Sequence, residues 1–251
     1  MPYVRTCAIA LRCTDYSDSS QVVAAIAPDL GQVHFLAKGS RKPRKDGRTA
    51  LDVLTHYDAV LSVRKPGQLH LLTEWDVREA FPVLRTDLAR FWAAWHAAEA
   101  ALVCTSENPD DGPVHGALAE LLHSLQSGEE TWLALLKCLA TILKATGHEP
   151  RTDRCAQCGR ALYGPTRFSP RIGGALCGDC LAADPAAIPV TRGAFAAMSR
   201  LTAAGTPTAR LKLGRAQRAE IQRAFAEQIQ YHLGRPLRTL RFVRTAEAAK
   251  S

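Results

Sequence analysis

No apolar run in the 251 residues approaches the roughly 20 needed to cross a bilayer, and the most apolar helical stretch, Trp132 to Leu143, contains Lys137. Arg5 and Arg12 interrupt the opening Met1 to Cys13 segment before a signal-type core can form. These absences predict a cytoplasmic protein. The chain also carries no GxxxxGK[ST] phosphate loop, no HExxH and no GxSxG, and neither His148-Glu149 nor Asp110-Asp111 has a spacing that specifies a site. The expectation is therefore a protein that is not an enzyme and does not spend nucleotide. Eight cysteines are too sparse for a disulfide scaffold in a chain of this length, and no internal repeat or low-complexity tract is present.

What the sequence does contain is enough apolar material for a real core, 47% against 22% charged residues, and a net charge of +8. That charge is uneven. Residues 1–80 hold 11 basic and 9 acidic side chains, residues 81–150 hold 4 and 9, and residues 151–251 hold 17 and 6. A middle segment of opposite sign suggests separate modules, and the basic excess suits a polyanion partner.

Along residues 1–80, Cys7, Ile9, Leu11 and Cys13 alternate with Thr6, Ala8, Ala10 and Arg12, placing one apolar face on a strand. Further β runs follow at Gln21–Ala27, Gln32–Ala37, Leu51–Val63 and Leu69–Val77, separated by Asp15-Tyr16-Ser17-Asp18, Pro28-Asp29-Leu30-Gly31, a basic loop and Lys65-Pro66-Gly67. Five short strands in this length suit a small barrel, of OB or SH3-like topology. The middle reads as helices. Leu88, Phe91, Trp92, Trp95, Leu102 and Val103 recur at helical spacing behind Thr86-Asp87, and a second helix spans about Pro113 to Gln126. A third carries Trp132, Leu135, Leu136, Leu139 and Leu143, with Ser127 and Glu130 as a capping box and Gly147 as its end. Helices near Arg192–Ala203 and Arg215–Leu233 follow, the latter stopped by Gly234-Arg235-Pro236. His96, beside Trp92 and Trp95, borders a packing face, and the tryptophans themselves fit core spacing.

The sharpest motif is Cys155-x-x-Cys158 followed, after eighteen residues, by Cys177-x-x-Cys180. Two residues between thiolates let one turn present both sulfurs to one ion, and two such knuckles close a tetrahedron around structural Zn2+. Two disulfides or four idle thiols are the weaker alternative. Cys7, Cys13, Cys104 and Cys138 lie on apolar faces and read as core residues.

Between Lys38 and Arg48 six positive charges, Lys38, Arg41, Lys42, Arg44, Lys45 and Arg48, face the single Asp46. A basic loop joining two barrel strands can track a phosphate backbone; a merely solvated loop is the competing reading. A second basic region runs from Arg210 to Arg244 and includes Arg215, Arg235, Arg238 and Arg241. Its charges form no single helical stripe, since Arg218 shares a side with Ile221 and Phe225, and the alternation from Arg235 to Arg244 suggests a final strand or extended segment.

Asp15-Tyr16-Ser17-Asp18, Leu30-Gly31 through Ala37-Lys38-Gly39-Ser40-Arg41, Leu84-Arg85-Thr86-Asp87-Leu88, Gly147 to Cys158 and Tyr231-His232-Leu233-Gly234-Arg235-Pro236-Leu237, in that order, resemble the landmarks of RecO, a family of bacterial recombination mediators. The resemblance implies an α+β protein: an N-terminal five-stranded OB-like β-barrel (1–80), a mainly α-helical domain (81–150 and 185–251) and an inserted four-cysteine zinc-binding motif (151–184). It further implies binding of single- and double-stranded DNA, annealing of complementary strands without ATP, partnership with RecR and single-strand-binding protein, and indirect service to RecA at the nucleoid. By this resemblance the DNA-contacting positions include Lys38, Arg41, Lys42 and Arg44. An RNA-binding or transcription accessory protein that joins an OB-like barrel to a zinc ribbon is the alternative from another class, and a metal nuclease is opposed by the lack of an acidic cluster.

Overall fold

A computed structural model describes residues 2–42, 50–65, 68–202, 211–234 and 236–249. Five strands, β1 (Tyr3–Ser17), β2 (Ser20–Ala27), β3 (Gly31–Ala37), β4 (His56–Ser62) and β5 (His70–Glu79), close a barrel in the order β1-β2-β3-β5-β4. β1 can border both β2 and β4 because it is long and shifts register between Ala10 and Arg12, a bulge that bends the strand around the corner. The β3–β5 pair is parallel and every other pair antiparallel, which resolves the topology as OB-like.

Both faces of the barrel wall are buried where it meets the helices. Ala8, Ala10, Val23, Ala25, Val33, Phe35, Tyr57, Leu61, Leu72 and Trp75 fill the interior. Ile9, Leu11 and Ile26 point outward into a second core shared with the helical body. The single apolar face expected of β1 is thus only half of its buried surface.

The expected strand from Leu51 begins only at His56. Leu51 to Thr55 instead plugs the barrel: Leu51 joins the interior, and Leu54 takes a left-handed φ of 58° while its N–H bonds the Ala10 carbonyl at 2.7 Å. The first hairpin also turns later than Asp15-Asp18 suggests, since β1 persists to Ser17.

A short helix, α1 (Val83–Thr86), leads to α2 (Leu88–Cys104), α3 (Gly112–Ser127) and α4 (Thr131–Ala145). Asp87 starts α2 by accepting the N–H groups of Ala89 and Arg90. The close-packed face of α2 is alanine, Ala93, Ala94, Ala97, Ala98, Ala100 and Ala101, while Leu88 is 65% exposed and Phe91, Trp92 and Trp95 are half-buried. Small side chains let neighbouring helices approach, so the large residues are displaced to the rim. α4 is buried almost all round, through Leu135, Leu136, Leu139, Ile142 and Leu143. The expected capping box does not form: Glu130 is the N-cap without a side-chain bond, and the Ser127 hydroxyl closes α3 by donating to the Ser124 carbonyl.

A small three-stranded sheet, β6 (Arg167–Ser169), β7 (Gly174–Leu176) and β8 (Ile188–Pro189), precedes α5 (Arg192–Thr202), α6 (Arg215–Leu233) and α7 (Leu240–Ala249). Gly234 ends α6 in the left-handed conformation. The tail expected as a strand is the helix α7, because it packs on α2. Phe242 stacks on Trp92 with ring centroids 4.3 Å apart, and the Glu99 carboxylate accepts the N–H groups of Arg238 and Thr239 at 2.9 Å each. His96 is fully buried beneath this contact, its Nδ1 2.7 Å from the Thr239 hydroxyl.

The barrel is seated on the helices through a glycine seam. An added Cβ on Gly31 would lie 2.0 Å from the Asn108 carbonyl oxygen, and one on Gly112 would lie 2.2 Å from the Pro28 carbonyl oxygen. Across that seam the Gln32 N–H donates to the Ser106 carbonyl at 2.9 Å.

Candidate nucleic-acid interface and metal centre

The four cysteines converge from two turns. The first knuckle is tightened by the Cys155 N–H donating to the Arg160 carbonyl and the Gly159 N–H donating to the Cys155 carbonyl, both at 2.9 Å. The second follows β7 into a 3-10 turn over Gly178–Ala183. All four Sγ atoms lie within 4.8 Å of one another, and Cys158 and Cys177 are 3.8 Å apart. Thiolates at about 2.3 Å from a tetrahedral ion stand about 3.8 Å from each other, so the donor set fits zinc.

The local field prepares these thiols to ionise unequally. Backbone and guanidinium hydrogen bonds from Arg160 pull Cys158 down to about 6. Burial pushes Cys155 up, but N–H groups of Cys177, Cys158 and Gln157 outweigh it and leave this thiol below its ordinary value. Cys180 is pushed up to about 12, by burial first and then by the neighbouring thiols. An ion would have to displace that proton. Around the knuckles the Tyr163 hydroxyl donates to Asp179, which also pairs with Arg160 at 3.1 Å.

Of the other cysteines, Cys13 and Cys104 are half-buried and raised to about 12, chiefly by burial, and Cys138 is enclosed and raised in the same way. Cys7 differs from a simple core residue. Its Sγ lies 4.0 Å from Nε2 of His115, whose own Nε2 is 3.2 Å from that of His56. Burial, then the neighbouring His56, drives His115 down to about 4, and burial lowers His56 as well.

The basic loop leaves β3 beside the β1–β2 hairpin. Its first turn is fixed: buried Ser40 donates to the Gln21 side chain at 3.0 Å, and the Arg41 N–H donates to the Ser19 carbonyl at 3.1 Å. Lys38 and Lys42 are exposed, whereas Arg41 is engaged by Asp15 at 2.9 Å. Arg44, Lys45 and Arg48 lie outside the described residues, as do Arg210 and Arg235.

Strand parity adds residues that the sequence reading missed. Arg12 pairs with Ala24, and Ala24 with His34, so these share the outer face of β1–β2–β3, and beyond the bulge Thr14 and Tyr16 continue it. Tyr16 is 67% exposed at the hairpin end. In sequence it reads as part of a turn, and only the persistence of β1 to Ser17 gives it a face. The opposite wall, β4–β5, exposes Asp58, Glu74 and Asp76, with Asp58 directly across from Asp76. That wall therefore has an acidic excess, Asp58, Glu74, Asp76 and Glu79 against the one cation Arg78, which pairs with Asp58 at 3.1 Å.

The described cations of the second basic region lie on the helical body. Arg215 is exposed at the start of α6, and Arg238 and Arg241 flank the start of α7 on the helical body. That body docks at the Pro28–Gly31 end of the barrel, about 23 Å along β2 from the hairpin. Arg218 is structural: its guanidinium lies 4.1 Å over the Trp132 ring and its Nε donates to the Leu213 carbonyl at 3.0 Å. Arg241 rests over Phe242 at 4.5 Å. Among the described residues, no helix is long and apolar enough to cross a membrane.

This architecture agrees with what the chain is similar to. The family model for the N-terminal domain of recombination protein O matches residues 1–81, and that for its C-terminal domain matches residues 85–241. The DNA repair protein RecO of Anaeromyxobacter dehalogenans (strain 2CP-C) is 32% identical over 245 residues, covering 97% of this chain and 96% of that protein. The RecO of Roseiflexus sp. (strain RS-1) is 32% identical over 241 residues, covering 95% and 84%. With both domains matched in order and relatives of about 32% identity aligned over nearly the whole chain, the chain belongs to the RecO family of DNA repair proteins.

Proposed function

We propose that this protein is a non-enzymatic recombination mediator that binds single- and double-stranded DNA through the β1–β3 face and the basic loop. It anneals complementary strands without ATP and, with RecR and single-strand-binding protein, helps RecA onto DNA at the nucleoid. Family membership supports the repair role. The observation that carries the surface is exposed Tyr16, on the same wall as Arg12 and on the hairpin against which the first turn of the basic loop packs, on an OB-like barrel whose β4–β5 wall has an acidic excess. Single-strand-binding barrels combine these parts, a cationic track for phosphates and a ring on which a base stacks. Zn2+ held by Cys155, Cys158, Cys177 and Cys180 is assigned a structural role, since four sulfur ligands leave no open position.

Annealing follows from charge. Two complementary strands repel through their phosphates, and loose cationic contact screens them while leaving base edges free. Arg215, Arg238 and Arg241 offer a second track on the helical body, so that two strands can be held on different surfaces. The test is pairing of complementary oligonucleotides without nucleotide, for the intact protein and for Tyr16→Ala combined with Lys38→Ala and Lys42→Ala. Acceleration by the intact protein and slowing by the variant are expected. A spontaneous rate under conditions of confirmed binding overturns the mediator reading in favour of an RNA or transcription accessory role.

A further inference from the structure

The geometry points to a second metal site, formed by Cys7, His56 and His115, which takes a zinc-like divalent ion and ties the barrel to the helical body. Cys7 comes from β1, His56 from the first position of β4 and His115 from the first turn of α3, so the three donors meet only because the barrel is seated on the helices. The Cys7 Sγ and one ring nitrogen from each histidine lie within 4.8 Å of one another.

The separations decide between a simple histidine pair and a ligand set. Donors on a tetrahedral zinc, about 2.05 Å for imidazole and about 2.3 Å for thiolate, stand about 3.3 Å apart for two imidazoles and about 3.6 Å for an imidazole and a thiolate. The observed distances are 3.2 Å between the imidazoles and 4.0 Å from Cys7 to His115. A histidine pair alone accounts for the first distance through one shared proton; it gives no reason for a thiol to face the same nitrogen. The rings meet edge-on, with centroids 5.1 Å apart and an interplanar angle of 61°, so they do not stack.

The donor types agree with the class of ion. Two imidazoles and one thiolate are borderline-to-soft ligands that suit zinc over magnesium or calcium. Both histidines are buried, whereas Cys7 is half-exposed, which leaves the thiol as the side from which an ion enters and a water completes the tetrahedron. On binding, the Cys7 S–H bond breaks and its proton passes to solvent, while the shared Nε2 proton is exchanged through solvent for one on the Nδ1 of the same ring; both imidazoles end as neutral Nδ1–H tautomers with their Nε2 lone pairs on the ion, and one proton is released in all. No electron is transferred.

Zinc content per chain provides the test, measured after equilibration with buffered zinc and removal of loose metal, for the intact protein, Cys7→Ser, His115→Gln and Cys155→Ser combined with Cys158→Ser. Two ions per intact chain are expected, falling to one in Cys7→Ser and His115→Gln. The Cys155/Cys158 variant should also retain one, and its cobalt form should show tetrahedral absorption with a single-thiolate charge-transfer band. One ion per intact chain overturns the proposal whatever the variants do, as does an unchanged content in Cys7→Ser. If His115→Gln disturbs the fold, Cys7→Ser together with the cobalt spectrum decides. A negative result leaves the DNA-binding reading untouched, because none of its residues belongs to this trio.

Discussion

Gly31→Ala should be among the most damaging single-methyl additions this protein can suffer, because it combines two costs that Gly128 and Gly112 separate. The backbone of Gly31 has φ +67°, and placing an L side chain in the left-handed region costs roughly 1–2 kcal/mol. The new Cβ would stand 2.0 Å from the Asn108 carbonyl oxygen, where ordinary contact begins near 3.4 Å, so the seam must open by about 1.4 Å. That opening carries the 2.9 Å bond from Gln32 N–H to Ser106 beyond hydrogen-bonding range, at about 1–3 kcal/mol for the unpaired groups. The total is on the order of 3 kcal/mol, or a melting temperature lower by roughly 6–12 °C for a chain of this size. Gly128→Ala is the control, with φ +91° and nothing within 4 Å of the added methyl, and should lose only the backbone part, about 2–8 °C. Gly112→Ala is the converse, a helical φ of −50° with a Cβ 2.2 Å from the Pro28 carbonyl oxygen, and should fall between them. Thermal unfolding followed by circular dichroism ranks the three. A Gly31→Ala loss no larger than that of Gly128→Ala would refute the close-approach argument.

Three other outcomes are expected. Cys155→Ser should abolish zinc binding at the four-cysteine centre and raise protease sensitivity between residues 155 and 180, while DNA affinity changes little; elemental analysis and limited proteolysis check it. Lys38→Ala with Lys42→Ala should flatten the slope of log affinity against log salt by about 0.7 per lost single-strand phosphate contact, whereas adding Arg41→Ala should contribute less, because Asp15 already engages that guanidinium. An unchanged slope would make the loop a solvated surface only. Acidification from pH 7.5 to 5.5 should lower the melting temperature. A buried histidine whose folded value is depressed adds no pH dependence above about 6.5, but below it the unfolded chain takes up the proton first, and for His115 this loss continues down to about 4. His34, His56 and His148 are lowered in the same direction by burial. A melting temperature flat across that interval would contradict the burial argument.

What could be read in the sequence was local. The Cys155 to Cys180 spacing announces its geometry because each knuckle is one turn, and α6 spans the expected Arg215–Leu233 because Gly234 stops it whatever surrounds it. The five strands are marked by alternation and turn residues, but not their closure, which depends on a bulge in β1 and a parallel β3–β5 pair. The tail misleads because Leu240, Phe242 and the arginines alternate like a strand, while Leu237, Leu240 and Val243 also fit a helix. Trp92 and Glu99, some 140 residues away in sequence, decide between them. The same holds for Arg12 and Tyr16, whose shared face depends on how far β1 runs, and for Cys7, which reads as a core residue until His56 and His115 are brought to it.

The Glu99 contact also sets an order of events during synthesis. Every strand of the barrel has been made once Glu79 leaves the ribosome, and the Ser106–Gly112 seam and the α2 and α3 residues that cover Ile9, Leu11 and Ile26 follow soon after to seat it. The helical body must wait. Glu99 sits in α2, yet its carboxylate is satisfied by Arg238 and Thr239, and Trp92 in the same helix is covered by Phe242. A nascent chain halted before those residues would hold a closed barrel joined to a bundle whose central helix still lacks its last partners. Arg238, Thr239 and Phe242 therefore belong to a closing piece, and a ribosome that stops short of them releases a protein finished in its barrel and open in its bundle.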